Sequence, residues 1–284
     1  MKICAGIVLY NPDIKRLKEC VDAVLPQVEC LVLVDNASLN INEVENELAG
    51  YDIIWIKNER NFGIACALNQ LTGYADSNGY EWLLTLDQDS ICEGVMVIKL
   101  YDAAVSGVAM VAPLVIDRGI PETGDTGGLD IEEPLREIEE VKMCITSGTL
   151  TNVATVLEIG GFNEWLFVYD VDREICIRLL RGGYKLLRVN STRLFHEHGI
   201  KTVSKKIFGK QIVYRNYSPI SVYYMTRNLV FMLRKYGREY NPNPKLRWIR
   251  MYTAFFIKFV FQPDKMSRLR AFRQGVKEGK AVKI

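Results

Sequence analysis

No G-x-G-x-x-G follows any apolar run of this 284-residue sequence, which argues against a dinucleotide oxidoreductase. The seven cysteines include no C-x-x-C pair, are odd in number and sit mostly among apolar neighbours. They read as reduced core residues of a cytosolic protein. The first apolar run, Ile3–Leu9, meets Asn11 and Pro12 and so reads as a buried strand, not a signal peptide, and secretion is not expected. A membrane span is missing from the tail as well. Its apolar stretch from Trp248 to Phe261 is 14 residues long and carries Arg250 and Lys258, whereas a span takes about 20 predominantly apolar residues. Histidine is scarce, with only His196 and His198.

What is present is a globular composition, 49% hydrophobic and 25% charged, enough for a sizeable core. The net charge of +2 conceals an asymmetry: residues 1–200 hold 16 Lys/Arg against 31 Asp/Glu, and residues 201–284 hold 20 against 3. A tail this basic is expected to meet an anionic surface, phospholipid or nucleic acid, or to pair with the acidic body.

To about residue 116 the sequence alternates strand-length apolar runs (Ile3–Leu9, Leu31–Val34, Ile53–Ile56, Trp82–Leu86, Val108–Ala112) with segments of helical spacing. Such alternation predicts βαβ units around a mostly parallel sheet. The clearest helix follows Gly63, with Ile64, Ala67, Leu68 and Leu71 on one face. Residues 117–140, acidic and glycine-rich, read as a surface excursion. Beyond them the pattern predicts a strand, a helix to about Glu158, a turn at Gly160-Gly161, a helix from about Asp170 to Gly182, and a strand Lys185–Val189. A basic connection then leads to three helices: one opened by Ser218-Pro219 and closed by Gly237, and two at roughly 244–261 and 264–280. The expected division is a catalytic domain at 1–215, with a donor-binding half to about 116 and an acceptor-side half from about 141, followed by a helical extension at 216–284.

In an open α/β sheet, ligands bind beyond the carboxyl ends of the strands. Four polar clusters fall there: Tyr10-Asn11-Pro12, Asp35-Asn36-Ala37-Ser38, Asn58 to Gly63 with Arg60, and Asp87-Gln88-Asp89-Ser90. Each alone is best read as a turn. Together they line one edge with the groups a nucleotide needs. Asp87 and Asp89 follow the apolar strand Trp82–Leu86, where two carboxylates can share a hard cation such as Mg²⁺ or Mn²⁺. Asp170, Asp172 and Glu174 stand at a helix start, where carboxylates also simply oppose the helix dipole; of these, Asp172 is the candidate general base. The histidines lie after a strand beside Glu197 and suit metal ligation or acid–base work, His196 being preferred.

The motifs V-L-Y-N-P, V-D-N-A-S, N-x-x-N-x-G, L-D-Q-D-S, T-S-G, G-G-F-N-E, V-D-R-E, F-H-E-H-G and Y-Y-x-x-R-N occur in that order from Val8 to Asn228. In this order they resemble the inverting glycosyltransferases of family 2, of GT-A fold, and within them the bacterial rhamnosyltransferases that build cell-surface polysaccharides. The resemblance implies that Tyr10 and Asp35 hold the nucleotide base, with Asn11, Asn36 and Arg60 nearby, Asp87 at the ribose and Asp89 and His196 at the metal. It further implies Asp172 as base, Arg227 at the leaving diphosphate, and Ser147, Gly148 and Glu174 toward sugar and acceptor. The implied donor is dTDP-rhamnose or a UDP-hexose, and the acceptor a saccharide or lipid-linked hydroxyl. The protein would then work in the cytoplasm, peripheral on the inner face of the membrane, without nucleic acid as a partner. Two rivals remain at this point. A nucleotidyltransferase would need a glycine-rich basic loop where Leu9-Tyr10-Asn11-Pro12-Asp13 stands. A non-catalytic scaffold would have little use for intact Asp87, Asp89, Asp172 and His196.

Overall fold

The computed structural model describes residues 2–117, 136–196, 202–207, 210–215, 217–261 and 264–284, with backbone alone at 202–207, 210–215 and 257–261. The bulk of the excursion expected at 117–140, as well as His198, lies outside the described residues. In chain order the elements are β1 (Ile3–Leu9), α1 (Ile14–Val24), β2 (Cys30–Asp35), α2 (Ile41–Glu47), β3 (Ile54–Lys57), α3 (Ile64–Ser77), β4 (Trp82–Asp87), β5 (Ile91–Cys92), α4 (Met96–Asp102) and β6 (Val108–Asp117). There follow β7 (Ile138–Glu140), β8 (Thr149–Asn152), α5 (Val153–Glu158), α6 (Val171–Arg181), β9 (Lys185–His196), β10 (Thr202–Ile207), β11 (Lys210–Arg215), α7 (Pro219–Tyr236), α8 (Pro244–Phe261) and α9 (Lys265–Ala281).

Most strands join one mixed sheet in the order β3-β2-β1-β4-β8-β6-β9-β5, with β7 on β9. Its first four strands are parallel, and β8 enters antiparallel between β4 and β6. Parallel strands covered by helices must be apolar on both faces, and β1, β2 and β4 are: Ile3, Ile7, Leu31, Leu33, Leu83 and Leu84 are all nearly or fully buried. The pairing brings Leu9 level with Asp35 and Val8 level with Asp87. The polar residues after β1, β2 and β4 therefore emerge together at one edge.

The chain divides into two compact units, Met1–Phe167 with Val171–Glu197, and Val168–Asp170 with His198–Ile284. The basic connection after β9 carries an antiparallel hairpin, β10 against β11. In the second unit, Ser218 caps α7, its Oγ accepting from the Ser221 N–H at 3.2 Å, with Pro219 in the first turn. The α7 and α9 backbones approach closely at Gly275 and Gly279. A Cβ at either would stand 2.7 Å from the Tyr223 carbonyl or 2.5 Å from that of Arg227. α8 divides its apolar residues between two faces. Phe255 stacks on Phe272 of α9 at 4.0 Å between ring centroids and Met251 is buried, while Leu246, Ile249 and Phe256 are exposed. Among the described residues no helix is long and apolar enough to cross a membrane.

Candidate active site

The turns after β1 and β2 are locked to each other. Asn11 and Ala37 hold left-handed backbone, φ 47° and 62°, which turns the chain sharply at the sheet edge. The Asn11 N–H donates to Ser38 Oγ at 2.8 Å, and the Leu39 N–H donates to Asn11 Oδ1 at 2.8 Å. Asp35 is only 2% exposed, and both its oxygens accept from the Ser38 N–H at 3.2 Å. Asn36, equally buried, donates to the Gly63 carbonyl at 3.3 Å and accepts from Asn58 at 3.0 Å. These two residues build the frame of the edge. Tyr10, half exposed, and the exposed Arg60, whose guanidinium lies over the Phe62 ring at 4.8 Å, are among the side chains presented to solvent. Gln88 joins the β1 and β4 ends, its Oε1 accepting from the Tyr10 N–H at 2.9 Å.

At the end of β4, Asp87, Asp89 and His196 bring one ligand atom each to within 4.8 Å of one another. His196 comes from the far end of β9. Its Nδ1 lies 3.7 Å from Asp89 Oδ1 and 3.9 Å from Asp87 Oδ2. Hydroxyls brace the group: Ser90 Oγ is 2.9 Å from His196 Nδ1 and 2.8 Å from Ser147 Oγ, which accepts from the Asp87 N–H at 2.9 Å. Ser147 thus supports the acidic loop from beneath, at 2% exposure. Gly148 makes that support possible. Its φ is +75°, and a Cβ there would stand 2.7 Å from Leu194.

Burial pushes the Asp87 carboxyl up to about 7, with the charges of Asp172 and Asp89 adding to the effect. A group of carboxylates whose ionisation is opposed by its own crowding fits a cation, because the cation removes that opposition. Two carboxylates and an imidazole suit a hard or borderline dication.

Asp172 stands in the first turn of α6. The Thr146 hydroxyl and N–H both donate to its Oδ1, at 2.7 and 3.2 Å. Burial raises its carboxyl above the usual range, while the Thr146 bonds and the nearby His196 pull it down. Glu174 stands two residues on, in the same turn. It is 1% exposed and paired with Arg178 at 2.7 Å, and Arg178 also donates to the carbonyls of Ile159 and Gly161. Arg227 belongs to the second unit. It is 7% exposed, donates from Nε to Asn228 at 3.0 Å and lies over the Tyr223 and Tyr224 rings. The sequence places Ser90 and Thr146 inside the L-D-Q-D-S and T-S-G motifs but gives neither a role of its own, because each looks like an ordinary turn residue; their signal is adjacency to Asp89 and Ser147.

Residues 4–155 match the Glycosyl transferase family 2. The chain belongs to that family. It is 30% identical over 244 residues to the dTDP-rhamnosyl transferase RfbF of Shigella flexneri, a match covering 82% of this chain and 80% of that protein. Among solved structures it is similar to GalNAc-T7 with UDP, GalNAc and Mn²⁺, with a TM-score of 0.59 at 15% identity over 98% of this chain and 56% of that one. It is also similar to S. aureus TarS 1-349 in complex with UDP-GlcNAc, with a TM-score of 0.57 at 14% identity over 97% of this chain and 82% of that one. Likeness at such identities shows the fold, GT-A. This family 2 glycosyltransferase is an enzyme of the rhamnosyltransferase-like kind.

Proposed function

We propose that the protein is an inverting, divalent-metal-dependent rhamnosyltransferase of cell-surface polysaccharide assembly, taking rhamnose from dTDP-rhamnose to a hydroxyl of a saccharide or lipid-linked acceptor. The observation that carries this reading is the meeting of Asp87, Asp89 and His196 in one cluster that also feels the charge of Asp172. The relationship to a dTDP-rhamnosyl transferase supports the donor.

Asp172 takes the acceptor proton at Oδ2, since Thr146 holds Oδ1. The freed oxygen bonds to the anomeric carbon as the bond from that carbon to the diphosphate breaks on the opposite face, so configuration inverts. A base with its affinity for protons raised by burial is better matched to work near neutrality than an ordinary carboxylate. Asp89 and His196 would hold the metal, with Asp87 beside them. Mg²⁺ or Mn²⁺, when bound, supplies neutralisation of the charge that develops on the leaving diphosphate. Tyr10 and Arg60 meet the nucleotide on the frame set by Asn11, Asp35 and Asn36, and Ser147 and Gly148 shape the sugar end.

The tail attaches the enzyme to an anionic membrane face. Leu246, Ile249 and Phe256 are exposed on a helix that also carries Lys245, Arg247 and Arg250, the pattern of a helix lying in the headgroup layer. The decisive measurement is binding and turnover of dTDP-rhamnose and UDP-hexoses with Mg²⁺, Mn²⁺ or EDTA. Metal-dependent turnover of dTDP-rhamnose with inversion is expected. Binding of none of these donors under any metal condition overturns the reading in favour of a non-catalytic scaffold.

A further inference from the structure

The second unit contains a cavity of about 350 Å³ that none of the roles above fills, although Arg247 and Arg250 of its lining also belong to the helix proposed to meet the membrane. Its floor is apolar and sulfur-rich: Met225 and Leu229 of α7, Met251 of α8 and Phe272 of α9. Polarizable, flexible methionines adapt to chains of variable shape. The charges on its lining are three arginines and one aspartate. Arg247 and Arg250 are exposed, whereas Arg268 is 4% exposed and donates to the Tyr217 carbonyl. The aspartate is Asp170, whose Oδ1 accepts from the Tyr240 hydroxyl at 2.9 Å. The lining is therefore positive on balance, and two of its arginines stand where solvent reaches them.

We infer that this cavity binds a single aliphatic chain ending in a phosphate, the chain lying among Met225, Leu229, Met251 and Phe272 and the phosphate meeting Arg247 and Arg250. The fit is one of charge and of volume. Arginine is suited to phosphate because its planar fork donates two parallel hydrogen bonds. A methylene takes up about as much room as a water molecule, ~30 Å³, so the cavity holds roughly a dozen carbons. That room matches one chain or part of one better than the paired acyl chains of a bilayer phospholipid. The purpose of such a ligand, as the carrier of the sugar acceptor, rests on the function proposed above; its binding does not. Tyr169 and Asp170, two residues of the lining, precede Asp172 by three and two positions in the sequence.

Calorimetric titration of the full-length protein with decyl phosphate, below its micelle concentration and without donor or metal, tests the inference. Saturable one-to-one binding is expected, tighter than that of decanol by about tenfold or more, as charge-assisted hydrogen bonds imply. Inorganic phosphate alone should give no measurable heat. Arg247→Gln with Arg250→Gln, both at exposed positions, should bring decyl phosphate down to the affinity of decanol. Ala254→Trp, on the exposed part of the lining, should weaken both ligands by about tenfold. Absence of saturable binding overturns the proposal, as does equal affinity for decanol and decyl phosphate. Binding indifferent to Ala254→Trp would put the ligand elsewhere on the basic tail, and dihexanoyl phosphatidylglycerol binding as tightly as decyl phosphate would refute the single chain. Metal-dependent dTDP-rhamnose binding, measured on the same samples, separates this failure from failure of the function: each can be lost while the other stands.

Discussion

The two units solve the placement of charge in opposite ways. In the first, carboxylates are gathered at the edge of a sheet whose strands β1, β2 and β4 are buried and mostly apolar, and burial raises proton affinity at Asp87 and Asp172, with neighbouring carboxylates adding to it at Asp87. In the second, cations are spread over helices with apolar residues exposed between them, among them Ile249 and Phe256. A rigid sheet can hold like charges together because its core cannot yield; exposed helices cannot, and leave the arginines and lysines available to something anionic. The first unit holds the candidate site for a small charged ligand; attachment to an anionic surface is what we propose for the second.

The largest effect that would break this contrast belongs to Asp89. Asp89→Ala should abolish metal-dependent binding of nucleoside diphosphate, since it removes a carboxylate that faces the cation; calorimetry with and without Mn²⁺ reads this, and undiminished metal-dependent binding would remove the cluster from the mechanism. Asp172→Asn comes next. Donor binding should persist while turnover falls by on the order of 10²-fold or more. If turnover survives, the base is another residue.

Core truncation sharpens the claim that the sheet is what holds the charges. Leu84, fully buried in β4, should cost about 2–5 kcal/mol as Leu84→Ala in denaturant unfolding. Metal affinity should fall with it, because β4 delivers both Asp87 and Asp89. Loss of stability with unchanged metal affinity would show that the loop is set by Ser90 and Ser147 alone.

A smaller effect concerns pH. The folded, metal-free protein keeps a proton on Asp87 up to about pH 7 that the unfolded chain gives up at ordinary carboxylate pH. Stability from this group is thus fully present below the ordinary carboxylate range and is lost as pH rises through about 7. The melting temperature of metal-free protein should fall between pH 5 and 8, and Mn²⁺ should restore more of it at pH 8 than at pH 5. Asp87→Asn should remove the Asp87 part of that slope. A slope unchanged in the variant would assign it to other groups. Thr146→Val works in the opposite sense from the metal: without the hydroxyl that favours the charged form of Asp172, the acidic limb of the rate profile should move to higher pH. An unmoved limb would dissociate Thr146 from the base.

How much of this was legible in the sequence depended on element length. The apolar runs of β1 and β4 were readable to within a residue, as was the start of α3 at Ile64, whose end the sequence leaves open. β7 and β8, of three and four residues, are too short to show a period, and β9 looked as if it ended at Val189 because Asn190, Ser191 and Thr192 have turn composition. They form instead an irregularity within the strand, where Thr192 and the Arg193 N–H both donate to Glu93. The β10–β11 hairpin was masked by its lysines and arginines, which drew attention to charge and away from alternation. In the site, the strand-end carboxylates were readable from position alone. The uses of Asp35, Asn36 and Glu174 as frame were not, because partners such as Ser38, Asn58 and Arg178 become neighbours only once turns and helices form.

Scarcity of histidine turns the hydroxyl brace into an instrument. With only two imidazoles in the whole sequence, a nitrogen-15 spectrum of the labelled ring atoms holds two sets of resonances, and Ser90→Ala should perturb one of them. That set belongs to His196, and its chemical shifts report in real time on tautomer, protonation and whatever enters the site between Asp87 and Asp89. The protein carries its own spectroscopic probe beside Asp87 and Asp89, with no label other than isotope.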